Sequence, residues 1–140
     1  MLIDSRGDAR GFFVEVWRRL GQGAVLEPLQ ALVADVLLAH PEYHPLMNDP
    51  QLLTRDFAND ESGANPFLHL GLHIAVREQV QTDRPVGIAV IWQHLLAAAG
   101  DRHLAEHRLM ECLMHGLREA QRTGLPPDES VYLSRARELL

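Results

Sequence analysis

Apolar residues in this chain recur three and four positions apart. The segments that carry them are bounded by helix starts and stops rather than by hairpin turns. Asp8 to Leu20 places Phe12, Phe13, Val16, Trp17 and Leu20 at helical spacing, and Gly21-Gln22-Gly23 stops that run. A second run, Pro28 to Ala39, carries Leu29, Leu32, Val33, Val36 and Leu37. Pro28 suits a first turn, where its missing N–H costs nothing. The segment His40-Pro41-Glu42-Tyr43-His44-Pro45 closes the run. Asn65-Pro66 opens a third helix, reaching about Gln81, with Asn as cap. Asp83-Arg84-Pro85 repeats that pattern for a fourth helix ending near Gly100. Asp101 caps a fifth that ends near Arg122, with Gly124 as its stop, and Pro126-Pro127-Asp128 leads into a short last helix. The pattern predicts an all-α fold: one compact domain over 1–140, an antiparallel bundle of about five main helices plus a short C-terminal helix.

The stretch 45–65 is the least regular. Leu46, Met47, Leu52, Leu53 and Phe57 are its expected anchors, and Asn59-Asp60-Glu61-Ser62-Gly63 is a turn-rich tip. A connection of this length is a place where function concentrates.

Composition narrows the function classes. With 140 residues, 46% of them hydrophobic, the chain can bury a core without cross-links, and its one cysteine allows no disulfide framework. A net charge of −6 supplies no basic face for nucleic acid. Charges interrupt the first residues before any apolar signal segment forms. The least polar stretch, Val86 to Gly100, contains Gln93 and His94 and falls short of the ~20 residues that span a bilayer. The expectation is a soluble cytoplasmic protein with no membrane partner.

The unusual component is histidine, 8 residues in all. His69-Leu70-Gly71-Leu72-His73 opens the third helix, and His103-Leu104-Ala105-Glu106-His107 opens the fifth. Four positions apart on a helix, the two rings of each pair lie about 40° apart on one face. Val76 and Val80 continue the first face, and Met110, Met114 and Leu117 the second, so both pairs are expected to face the core. Short links would make the third and fifth helices parallel and put both pairs at one level. His94, His40 and His44 could return to that level, leaving His115 as the exception. Two facing pairs of neutral imidazoles suit Zn, Fe or Ni. The expected metal ligands are His69, His73, His103 and His107, with His44 as an extra ligand. Glu106 and Glu42 are the candidate bases, and Asp49 and Asp56 are further carboxylates of the irregular segment.

Other motifs carry little. His103-Leu104-Ala105-Glu106-His107 matches H-x-x-E-H, but only a short chain follows it, without the sheet of those peptidases. The Glu-x-x-His of di-iron bundles is absent, as are nucleotide-binding glycine motifs and G-x-S-x-G. Cys112 lies opposite His103 on its helix and reads as a packing residue.

Several blocks together resemble a bacterial family, the "domain of unknown function 1841". They are His40-Pro41-Glu42-Tyr43-His44, Asn65-Pro66-Phe67-Leu68-His69-Leu70 with His73, Glu78-Gln79, and Asp83-Arg84-Pro85 with Gly87-Ile88. His107-Arg108-Leu109-Met110-Glu111-Cys112-Leu113, Ala120-Gln121-Arg122, and Pro126-Pro127-Asp128 with Tyr132 complete the set, so the resemblance runs from about Phe12 to Tyr132. It implies that the first H-x-x-x-H block is part of the family pattern, and it brings no catalytic assignment. Two expectations follow. One is a metal-binding helical bundle, acting on a small-molecule substrate if it is an enzyme. The other is a metal-free interaction module, docking a protein partner or a second copy, whose histidines form a buried polar layer.

Overall fold

The computed structural model describes residues 6–52 and 65–140, with side chains described from Arg10 onward. Seven α-helices and one 3-10 turn occur among the described residues, with no strand. They are α1 (Arg6–Gly21), α2 (Pro28–Leu38), α3 (His44–Met47), α4 (Pro66–Thr82), α5 (Ile88–Ala99), α6 (Arg102–Thr123) and α7 (Glu129–Glu138). The all-α expectation holds. The chain divides into two compact units, Met1–Ile74 and Ala75–Leu140, with the division inside α4.

The first unit packs α1 against α2 and α3. Phe13 and Val16 of α1 meet Val33, Val36 and Leu37 of α2, and Met47, Leu52, Phe67, Leu70 and Ile74 complete this core. Arg10 is buried beside it. Its guanidinium lies over the Phe67 ring, 5.0 Å from the centroid, and donates to the Leu52 carbonyl at 3.0 Å. The helix ends follow the sequence signals. Pro28 begins α2, with Glu27 and Gln30 closing a reciprocal capping box. Asn65 Oδ1 accepts from the N–H groups of Phe67 (3.0 Å) and Leu68 (3.3 Å), so the start of α4 is fixed by its cap. The segment 45–65 is helical at its start, in α3, and its residues 53–64, including Leu53, Asp56, Phe57 and the 59–63 tip, lie outside the described residues.

The second unit packs α5, α6 and α7 together, with Ile88, Ile91, Leu95, Ala105, Leu109, Tyr132 and Ala136 buried. Asp101 Oδ1 accepts from His103 N at 3.1 Å and caps α6, whose far end is turned off by Gly124 at φ +72°. Asp128 caps α7 through the N–H groups of Ser130 and Val131. One boundary differs from the sequence reading. Asp83-Arg84-Pro85 does not form the first turn of the fourth helix, because α5 starts only at Ile88. Asp83 sits in the left-handed region at φ 50°, and its Oδ1 reaches forward to the N–H groups of Gly87 and Ala89, both at 3.0 Å. The N-cap is Gly87 rather than the expected Asp83, whose carboxylate still reaches the helix start across a longer loop.

Candidate metal centre

Three imidazoles of the first unit meet edge to edge. His40 follows the C-terminus of α2, and its Nδ1 lies 2.8 Å from the Val36 carbonyl. A carbonyl only accepts, so Nδ1 carries the proton, and in the neutral ring Nε2 presents a bare lone pair. That Nε2 lies 3.1 Å from His69 Nε2, which in turn lies 3.2 Å from His73 Nε2. The His40 ring stands at steep angles to both others, with interplanar angles of 78° and 64°, and the Tyr43 ring stacks on it at 7°. His73 is fully buried, His40 nearly so, and His69 half-buried. The Asn65 cap sets the register of the first turns of α4. Helical spacing then delivers His69 and His73 to one face, and the turn after α2 supplies His40.

The chemistry of that junction is specific. A neutral His69 Nε2 either donates or accepts in the ring plane. Beside the bare Nε2 of His40 it must donate, and the same proton cannot also serve the His73 contact. A cation among the three nitrogens serves all of them. Nitrogens bound to one metal at about 2.0–2.1 Å sit close to the spacings seen here. The donor set is imidazole alone, which suits Zn, Fe or Ni over Mg or Ca. The carbonyl behind His40 is the outer partner that fixes tautomer and orientation in such sites.

The other sequence candidates fall in different places. His44 is not brought into the trio: its Nε2 donates to the Leu37 carbonyl at 2.7 Å, and its ring lies on Trp17, centroids 4.6 Å apart. Glu42 is exposed on the 3-10 turn beside Tyr43, whose hydroxyl is pushed up by burial and by that carboxylate. Asp49 accepts from Gln51 N at 2.9 Å. In the second unit, His103 and His107 stand side by side on α6, ring centroids 4.2 Å apart. Between them in sequence, Glu106 is fully buried, and both of its oxygens lie 3.1 Å from Arg77 Nε. Arg102 Nε reaches Oε2 at 3.1 Å. That carboxylate is held in a buried ion pair. Leu117, expected on the core face of α6, is exposed at 36%, while Met110 is buried. His94 is exposed, and His115 Nδ1 is buried without a partner among the described residues. Cys112 is buried, which pushes its thiol up.

His40 is the member that the ligand reading leaves out. The signal was present, because His40 and His44 are another pair four residues apart. The pair straddles the end of α2, so helical phase does not say which ring turns inward.

The model of one family, described as "Domain of unknown function (DUF1841)", matches residues 5–138. The chain belongs to that family. The match runs through both units. Neither the curated proteins nor the solved structures contain a match to the chain.

Proposed function

We propose that this DUF1841 protein binds a transition metal through His40, His69 and His73. One observation carries the reading: His69 Nε2 is in contact with two other Nε2 atoms at 3.1 and 3.2 Å, and one proton cannot serve both. Supporting it, two of the three rings are buried, where an uncompensated polar cluster is costly, and His40 is oriented by a backbone carbonyl. His44 stays outside the proposed set, since its Nε2 is spent on Leu37. A metal with one position left open would be catalytic, and a fully ligated one structural.

A second reading has its own support. His40 and His44 each bond a carbonyl of α2, and Tyr43 stacks on His40, as in a polar layer that needs no ion. Elemental analysis of the untagged full chain separates the two. Stoichiometric Zn, Fe or Ni, lost in His69→Ala and retained in a variant of the exposed His94, supports the metal. Protein that carries none after purification, takes up none on titration and melts identically with and without chelator sinks it.

A further inference from the structure

The second unit carries a histidine pair of its own, on α6. His103 and His107 are one helical turn apart, and their rings lie side by side, with centroids 4.2 Å apart and planes tilted by 57°. Both are half-buried. Each ring offers one ligand nitrogen, and the two nitrogens lie within 4.8 Å of each other. Two nitrogens bound to one tetrahedral metal at about 2.0–2.1 Å are roughly 3.4 Å apart. A small turn of either ring brings the pair to that spacing.

The backbone beneath the pair is held in place. Asp101 caps α6 by accepting from His103 N at 3.1 Å. Ala105, Glu106 and Leu109, interleaved with the two histidines, are fully buried. Arg77 of α4 holds the Glu106 carboxylate through both oxygens at 3.1 Å, which commits that carboxylate to its ion pair. A fixed turn thus presents both rings, so an ion that bridges them orders few further bonds on binding. Each neutral imidazole brings one lone pair. Two histidines four positions apart on one helix face are an arrangement through which helices ligate zinc, and imidazole favours Zn, Fe, Ni or Cu over Mg or Ca. We infer that His103 and His107 chelate a transition-metal ion, each through one ring nitrogen. The inference stands on α6 alone and takes nothing from the trio of the first unit.

Zinc titration of the metal-free full chain, followed by NMR of the histidine ring nitrogens, tests this. Signals of His103 and His107, assigned through the α6 backbone, should shift together with zinc and stay still with magnesium. In His107→Gln, the His103 signal should need roughly a hundredfold more zinc to move, because the second arm of the chelate is gone. His103→Gln should do the same to His107, and His94→Gln should change neither. The signals of His40, His69 and His73 are read in the same spectra. If zinc shifts those three and leaves the α6 pair still, the α6 chelate is overturned and the first-unit centre stands. If only the α6 pair moves, the outcome is the reverse. Equal shifts with magnesium, or a His103 response unchanged by His107→Gln, also overturn the chelate.

Discussion

Glu106→Ala is the substitution whose cost the structure sets most directly. The carboxylate is fully buried and accepts from Arg77 Nε at 3.1 Å on both oxygens, and the Arg77 side chain is only 10% exposed. Removing the anion leaves a buried cation behind, and breaking a buried pair from one side costs about 3–5 kcal/mol. The Arg102 arm is different. Its side chain is 60% exposed, so Arg102→Ala should cost under about 1 kcal/mol. Replacing both buried partners, Arg77→Met with Glu106→Leu, removes the charge and its counter-charge together, and should return the chain to within about 1 kcal/mol of the parent. Urea unfolding of the four proteins measures this, read as midpoint shifts at constant slope. The reasoning is refuted if Glu106→Ala costs no more than Arg102→Ala, or if the double variant is as unstable as Glu106→Ala.

Three other outcomes follow from single features. Asn65→Ala strips the cap from α4 and should cost about 1 kcal/mol in the same urea experiment; no loss would mean that the start of α4 is held by packing. Gly124 stands at φ +72°, so Gly124→Ala should cost roughly 1 kcal/mol, whereas the same change at Gly116, inside α6 with open space around its Cβ position, should be neutral or stabilising. Burial pushes up both tyrosines, Tyr43 and Tyr132, from their ordinary 10.0, and the Cys112 thiol from 9.0. The folded chain therefore holds protons that the unfolded chain releases, and stability falls as pH rises past about 9 and on through the tyrosine range. In an absorbance titration the tyrosinate band should lag behind that of the urea-unfolded chain; coincident curves would contradict the burial of both hydroxyls.

Helix ends were legible in this sequence because each depends on a few neighbouring residues. Asn65, Asp101 and Asp128 accept the first N–H groups of their helices, and Gly124 and Gly100 close theirs in the left-handed region. Asp83 shows where that locality stops. Its carboxylate accepts from Ala89 N, but the N-cap is Gly87 and the helix starts only at Ile88, and nothing in the Asp-Arg-Pro triplet declares the left-handed turn at Asp83. The site divides on the same line. Spacing along one helix was enough to put His69 and His73 on a shared face, and to stand His103 beside His107. What it could not decide was the choice between His40 and His44. Both follow the last apolar turn of α2, both find a carbonyl of that helix, and the two differ in which nitrogen is spent on it. His40 uses Nδ1 and leaves Nε2 for the trio, while His44 uses Nε2 and lays its ring on Trp17. That choice rests on the conformation of the Pro41–Tyr43 turn and on the packing of Trp17 and Tyr43. The residue that makes the candidate centre three imidazoles rather than two is therefore selected by tertiary contacts. Changing Trp17 should disturb His44 first, and His40 only through the turn that joins them.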